Sequence, residues 1–144
     1  MGWQLEGIEG LIPTLLQLVS PSSAASGVVR LAGSIYLKNR ITNSWRAPTS
    51  NLPQHLSKNY VPIPPSDRQS LKTNILPLLA ALSADPQSAA VKAQVAAVLS
   101  KVVDNDYPDN WPGLMDEIVV LLGGGEGQIE AGLRATVEVF SCLR

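Results

Sequence analysis

The chain has 144 residues, of which 45% are hydrophobic and only 5% are aromatic, so a largely disordered chain is excluded. Abundant aliphatic and few aromatic residues favour packed helices over a β-sandwich. With 11 basic and 12 acidic residues, the formal net charge of -1 provides no basic field, so we expect neither direct nucleic-acid binding nor membrane attachment.

Apolar residues recur at helical spacing in the first part of the chain. They predict a first helix over residues 5–19 and a second that reaches Trp45, with Ser22 or Ser23 as its N-cap. Residues 46–65 contain five prolines and no sustained period, so we expect a Pro-rich loop there.

Two further helices are predicted after this loop. Ser66 is the expected cap of a third helix, with Asp67 in its first turn and the apolar pattern continuing through Leu82. Pro77 lies inside this helix and should kink it without ending it. A fourth helix should begin at residues 85–86 and end near Asp104.

The last two predicted helices flank a glycine-rich turn at residues 123–125. Asn110 should cap a fifth helix over residues 111–122. A sixth helix follows the glycines and is still in progress at Arg144. Its predicted apolar face consists of Ile129, Leu133, Val137, Phe140 and Leu143.

Candidate catalytic and metal-binding motifs are better explained structurally. Residues 123–127 could suggest a phosphate loop, but no Gly-Lys-Ser/Thr follows, so we interpret them as a helix-capping turn. The aspartates at 104, 106 and 109 lack the EF-hand glycine and glutamate, which favours a polar turn. His55 is interpreted as solvated and Cys142 as a core thiol. We expect no enzyme, no cofactor and no metal.

Internal spacing distinguishes a bundle from a repeat array. Val91 and Leu133 are 42 residues apart, within the roughly 40 to 47 residues of HEAT and armadillo repeats. Leu31 aligns with Val95 at a similar period once the Pro-rich loop is removed. The pattern predicts an all-α, right-handed α-α superhelix, a HEAT-repeat solenoid of about three helical hairpins, in which neighbouring repeats complete each other's core.

Several motifs resemble the N-terminal HEAT repeats of the importin-beta superfamily of nuclear transport receptors, and most closely its importin-seven and importin-eight branch. The first spans the second predicted helix, and another is an Asp-Tyr-Pro turn followed by Trp. The motif residues are Arg30, Leu37, Lys38, Asn39, Trp45, Asp106, Pro108 and Trp111. From the residues themselves, we expect the two tryptophans to wedge between helices, and Lys38 and Asn39 to bind carbonyls or brace the loop.

The resemblance implies that residues 1–144 belong to a longer solenoid whose inner helices bind Ran-GTP, with no catalysis. Accessible residues on those helices are the hypothetical Ran contacts: Thr14, Gln17, Gln69, Lys72, Thr73, Asp116 and Glu117. Cargo proteins would bind mostly through repeats outside this sequence, and nucleoporins would be further partners during shuttling between cytoplasm and nucleus. The alternative is a HEAT-repeat scaffold or adaptor without Ran dependence.

Overall fold

The computed structural model describes residues 8–46 and 61–142. These residues form six α-helices and no strand: α1 Leu11–Val19, α2 Gly27–Ser44, α3 Pro65–Ser83, α4 Ala89–Asp106, α5 Leu114–Leu122 and α6 Glu126–Cys142. A 3-10 turn, Pro86–Ser88, leads into α4. The all-α prediction is confirmed.

The helices are arranged as three consecutive hairpins, α1 with α2, α3 with α4 and α5 with α6. Helix α1 packs on α3, while α2 packs on α4 and α4 on α6, so the hairpins stack in two layers. Helix α6 also packs extensively on α3. Buried aliphatic side chains such as Leu37, Leu79 and Leu99 form one core through the stack. This is the stacked arrangement expected of a short helical solenoid.

Helix α1 begins later than its apolar pattern predicts. Gly10 has a φ of 98°, a left-handed conformation that glycine adopts readily, and the helix starts at the next residue. Ile8 lies before this turn and is 52% exposed, so it is not part of the buried stripe. The predicted residues 5–7 lie outside the described ranges.

The predicted caps of α2 and α3 are wrong. Ser26 caps α2, because its hydroxyl accepts the Val29 amide at 3.3 Å, whereas Ser23 accepts the amide of Ala25 in the preceding turn. Helix α3 begins at Pro65, a residue whose missing N–H costs nothing at a first helical position. Ser66 instead donates to the Glu9 carboxylate at 2.7 Å.

Helix α3 continues past Pro77 to Ser83, as its apolar pattern predicts. Of the predicted Pro-rich loop, residues 61–64 are non-helical, and residues 47–60 lie outside the described part of the chain. The next helix begins later than expected: Asp85 caps the 3-10 turn by accepting the Gln87 amide, and α4 itself starts at Ala89. It ends at Asp106, close to the predicted position.

The third hairpin departs most from its prediction. Helix α5 starts at Leu114, so Trp111 lies in the preceding turn and Asn110 is not its cap. The predicted apolar face of α6 is largely solvent-facing, since Leu133 is 56% and Val137 is 61% exposed. Ile129 is also exposed, and the side chain of Phe140 and all of Leu143 lie outside the described structure.

Small residues explain the orientation of α6. Gly132 and Ala135 are buried, and a Cβ placed on Gly132 would lie 3.0 Å from Leu122 Cδ2 on α5. Helix α6 therefore meets Leu121 and Leu122 of α5 through a face that carries small residues. The apolar pattern identifies the helix side that carries the largest apolar side chains. In α6, close approach of the backbones determines which side is buried, so the pattern predicts the wrong face.

Candidate functional site

A groove of about 260 Å³ lies between the N-terminal half of α3 and the turn that leads into α5. We call it the inner groove. Its lining residues come from the second and third hairpins: Gln69, Lys72, Thr73, Asn110, Trp111, Pro112, Gly113 and Glu117. Four of the seven predicted Ran contacts, namely Gln69, Lys72, Thr73 and Glu117, thus lie on one concave surface although up to 48 sequence positions separate them.

The register of α3 places its side chains at the groove. Leu71, Ile75 and Leu79 recur every four residues and are fully buried, which fixes the opposite side of the helix toward solvent. Gln69 and Thr73 lie four residues apart on that exposed side, and the Gln69 amide is 3.4 Å from the Thr73 hydroxyl. The exposed surface of α3 therefore begins with polar groups at its N-terminal end.

Further along α3 the exposed surface becomes apolar. Pro77, Ala81 and Ala84 line a second groove of about 530 Å³, which Val120 and Leu121 of α5 close on the other side. Small side chains on α3 leave this groove shallow and smooth. The face of α3 and α5 thus changes from polar to apolar along its length.

Among the described residues that line the inner groove, Lys72 is the basic one, and it is engaged within the protein. Its ammonium lies 2.6 Å from Asp106 Oδ2 and donates to the Asn110 carbonyl oxygen at 2.8 Å. Both charged side chains are largely buried, with 13% and 11% exposure. Lys72 therefore ties α3 to the end of α4 and to the turn that forms the groove rim.

The second oxygen of Asp106 accepts the Trp45 indole N–H at 3.0 Å. The Trp45 side chain is nearly fully buried, and the Arg68 guanidinium carbon lies 4.6 Å from its ring centroid, within the range of a cation–π contact. Arg68 also donates to the Ile63 carbonyl at 3.2 Å. Trp45 is thus wedged between the first and second hairpins, at the end where the inner groove lies.

Trp111 occupies a comparable buried position, with 5% exposure, at the start of the third hairpin. Its indole N–H donates to Glu117 Oε2 at 3.0 Å. Glu117, predicted as a partner contact, therefore has a structural role in the turn, and Lys72 has one as well. Asp116 beside it is exposed but does not line the inner groove.

The structure does not bring the two predicted contacts of α1 to the inner groove. Thr14 and Gln17 are exposed on α1, and the Thr14 hydroxyl donates to the Gly10 carbonyl at 2.8 Å. Gln17 lines a separate groove of about 320 Å³ between α1 and α3, together with Asn74 and Pro77. Four of the predicted contacts therefore line the inner groove and Gln17 lines its neighbour, whereas Thr14 and Asp116 line neither groove.

The motif residue Arg30 is buried and connects the opposite end of the first two hairpins. Its guanidinium donates to the Val19 carbonyl at 3.2 Å and to the Ser88 hydroxyl at 2.7 Å. Ser88 in turn donates to Asp85, and its hydrogen bond, with that of the Gln87 amide, lowers the pKa of the Asp85 carboxyl. Arg30 thus satisfies the C-terminal end of α1 and joins it to the start of α4.

Three other motif positions have different environments. Leu37 is fully buried in the core, whereas Lys38 is partly buried and Asn39 is exposed. Arg40, next in the chain, donates to the carbonyls of Val61 at 2.6 Å and Pro62 at 3.2 Å. Bracing of the loop end therefore involves Arg40, and a role of Lys38 or Asn39 toward residues 47–60 lies outside the described structure.

Sequence reasoning missed the role of Asp67. This nearly fully buried carboxylate accepts the backbone amides of Gly10 at 2.8 Å and Ile12 at 3.2 Å, so it caps α1 from the first turn of α3. Local sequence contains no signal for such a cap, because the acceptor and the donors are more than 50 residues apart.

The alternatives to a binding surface receive no support from the described ranges. Three or more side chains that could together hold a metal ion do not cluster there, and none of the helices has the length and apolar character to cross a bilayer. In the glycine-rich turn, the Gly125 amide donates to the Gln128 side chain, as in a helix-capping turn. His55 and the side chain of Cys142 lie outside the described structure.

Comparison with known proteins connects this architecture to a family. The family model described as "Importin-beta N-terminal domain" matches residues 4–81, which include α1, α2 and most of α3. Similar proteins include "Importin alpha re-exporter" of Saccharomyces cerevisiae, 28% identical over 85% of this chain and 11% of the relative.

"Importin-8" of Danio rerio is 31% identical over 76% of the chain and 10% of the relative, and "Exportin-2" of Oreochromis niloticus is 29% identical over 97% and 13%. The chain therefore spans about a tenth of the length of these curated relatives. Importins and exportins both occur among them, so the specific importin-seven and importin-eight branch stays a prediction. The family match covers more than half of the chain, and the protein belongs to the importin-beta superfamily.

Proposed function

We propose that this chain is the N-terminal HEAT-repeat region of a nuclear transport receptor, and that it binds Ran-GTP through the exposed side of α1, α3 and α5. Family membership supports the receptor, since the relatives are named importins and exportins. The observation that carries the location is the inner groove, which gathers Gln69, Lys72, Thr73 and Glu117 on one surface. Binding of a partner there would be a docking event without catalysis.

Charge and shape support a protein partner on this side. Residues 105–122 contain four acidic and no basic residues, whereas the whole chain is nearly neutral. Lys72, the cation among the described groove residues, is paired with Asp106, which leaves the acidic side chains of this segment in excess. The adjacent groove along Pro77, Ala81 and Ala84 is apolar. A matching partner presents a basic side chain beside an apolar one, and electrostatic attraction speeds its association.

In the receptor cycle that we propose, Ran-GTP binding at this end is coupled to cargo release in the nucleus. Cargo proteins would bind mainly through repeats outside the present sequence, and nucleoporins would contact the receptor during passage through the pore. The protein would accordingly shuttle between cytoplasm and nucleus. Named relatives include both importins and exportins, and the direction we propose, on the basis of the sequence motifs, is import.

The direct test is titration of this chain, and of a longer chain that includes further repeats, with Ran loaded with GTP or GDP. We expect binding of the GTP form at least about tenfold tighter, a difference of about 1.4 kcal/mol. Equal affinity for both forms, or no binding by a folded longer chain, would contradict the proposal and favour the HEAT-repeat scaffold or adaptor.

Added positive charge can locate the surface that contacts Ran-GTP. Thr73→Lys and Asp116→Lys each place a cation on an exposed side chain of α3 or α5, and we expect each to weaken Ran-GTP binding. Asp104→Lys is the matched control, because Asp104 is exposed on α4 in the other layer and the charge change equals that of Asp116→Lys. Glu117 is unsuitable for this purpose, since its substitution also removes the acceptor of the Trp111 indole.

A further inference from the structure

Three side chains from three helices or their ends meet beside the inner groove. Asp106 Oδ1 accepts the Trp45 indole N–H at 3.0 Å, and Asp106 Oδ2 lies 2.6 Å from the Lys72 ammonium. We call these three residues the clasp. One carboxylate therefore joins the end of α2, the exposed side of α3 and the end of α4.

The clasp reaches the groove through Lys72. The same ammonium that binds Asp106 donates to the carbonyl of Asn110, which lines the groove rim. Asp106 also holds this turn with its backbone, because its carbonyl accepts the Asn110 amide at 2.8 Å. Residues 107–113, which we call the rim turn, are thus attached to the clasp at both the carbonyl and the amide of Asn110.

Burial makes these contacts stronger than ordinary surface pairs. The side chains of Lys72 and Asp106 are 13% and 11% exposed, so solvent screens their attraction only weakly. Trp45 is buried and cannot move aside without opening the contact between the first two hairpins. Lys72 therefore has one well-defined position, which is the requirement for a preorganised binding surface.

We propose that Trp45 and Asp106 are positioning residues of the inner groove. They hold Lys72, and through Lys72 they hold the rim turn in the geometry that the partner meets, although neither residue lines the groove. The partner named in the binding test, Ran-GTP, rests on the proposed function. The positioning of the rim turn does not depend on it.

The first test measures the free chain by amide hydrogen exchange. Asp106→Asn keeps the shape and an acceptor for Trp45 but removes the charge that holds Lys72. We expect about fivefold to tenfold faster exchange at the amides of residues 110 and 111, as for loss of one charge-assisted hydrogen bond. Glu130→Gln is the matched control, because it removes the carboxylate of the Lys92–Glu130 pair, also 2.6 Å long, away from the groove. Unchanged exchange in Asp106→Asn would overturn the proposal.

The second test is a double-mutant cycle for Ran-GTP binding with Asp106→Asn and Lys72→Met. If Asp106 acts through Lys72, the substitution Asp106→Asn should weaken Ran-GTP binding about fivefold in the wild-type background. In the Lys72→Met background, the same substitution should have almost no further effect. Additive losses would contradict the positioning role. Trp45→Phe, which keeps an aromatic ring but loses the pyrrole part of the indole with its N–H, gives the same comparison if Asp106→Asn fails to fold.

The two tests separate the two proposals. If the wild-type chain and the longer chain both fail to bind Ran-GTP selectively, the proposed function is wrong, and the hydrogen-exchange result still decides whether the clasp positions the rim turn. If selective binding is observed but exchange and the double-mutant cycle show no coupling, only the clasp is rejected.

Discussion

The contact between the first and second hairpins differs in kind from the contact between the second and third. In the first contact, buried polar side chains such as Arg30, Trp45 and Asp67 each reach a group on the other hairpin. In the second, Lys72 donates to the Asn110 carbonyl at the exposed groove rim, and the ion pair between Lys92 and Glu130 is partly solvated, with 19% and 48% side-chain exposure.

The difference shows two ways to fix the angle between neighbouring repeats. Directional hydrogen bonds at both ends of an interface allow few relative orientations of the hairpins, because each bond tolerates only a narrow range of distance and angle. A partly solvated ion pair such as Lys92–Glu130 restricts the relative orientation less, because solvent screens it and its long side chains keep more freedom. We therefore expect the first interface to be the more rigid of the two.

Trp111→Ala should have the largest effect and would show how much the second interface depends on one anchor. Removal of this buried indole should lower the free energy of unfolding by about 3 to 5 kcal/mol. Trp111→Phe is the control: it keeps an aromatic ring but loses the pyrrole part of the indole and the hydrogen bond to Glu117, the bond being worth about 1 kcal/mol, so it should cost less than Trp111→Ala. Urea denaturation measures both, and a fully stable Trp111→Ala protein would contradict the wedge assignment.

Arg30→Met directly tests the polar contacts of the first interface. Loss of the hydrogen bonds to the Val19 carbonyl and the Ser88 hydroxyl should cost about 2 to 3 kcal/mol, because those acceptors stay buried without a donor. Lys92→Met makes the same kind of change at the second interface and should cost much less, since that pair is partly solvated. Equal losses in chemical denaturation would remove the distinction between the two interfaces.

Val120→Ser tests the exposed side of the third hairpin. Val120 is 74% exposed, so the substitution should change the free energy of unfolding of this chain by less than about 0.5 kcal/mol. Ile118→Ser on the same helix is the control, because Ile118 is buried and its loss should be strongly destabilising. Thermal denaturation of both variants compares the two faces, and a large loss for Val120→Ser would show that this face is covered in solution.

The smallest expected effect is the contribution of the Lys92–Glu130 pair to the pH dependence of stability. The hydrogen bond and charge of Lys92 lower the pKa of the Glu130 carboxyl below its ordinary value of 4.5. A carboxyl whose pKa is lower in the folded than in the unfolded chain stabilises the fold at pH values above its unfolded-state pKa. This contribution is lost as the pH falls through the folded-state pKa. NMR titration of Glu130 should show its pKa rising in Lys92→Met, and no rise would contradict the contact.

Helices were predictable from this sequence because their apolar residues recur every three to four positions. Buried Leu71, Ile75 and Leu79 on α3 show that local periodicity is sufficient where one helix face meets the core. The start of a helix was less predictable. The sequence pattern predicted Ser22 or Ser23 as the cap of α2, and only the backbone geometry shows that Ser26 is used.

The candidate site was predictable only in part. Exposure of Gln69 and Thr73 follows from the α3 pattern, but the partners of Lys72 do not, because Asp106 and Asn110 lie 34 and 38 positions away. The prediction of the buried face of α6 was wrong for a related reason. Gly132 contributes nothing to an apolar pattern, and yet its missing side chain lets α5 and α6 approach closely.

The Asp67 cap has a consequence for the order in which this chain acquires structure. The first turn of α1 has its amides satisfied by a carboxylate 55 to 57 positions later in the chain, so a nascent α1 lacks this cap until the intervening segment has closed into a loop. Synthesis reaches the start of α1 first, but its N-terminal turn becomes stable only together with α3. The first two hairpins therefore complete their folding as one cooperative unit, in which the N-terminal turn of α1 is capped only after the start of α3 has formed.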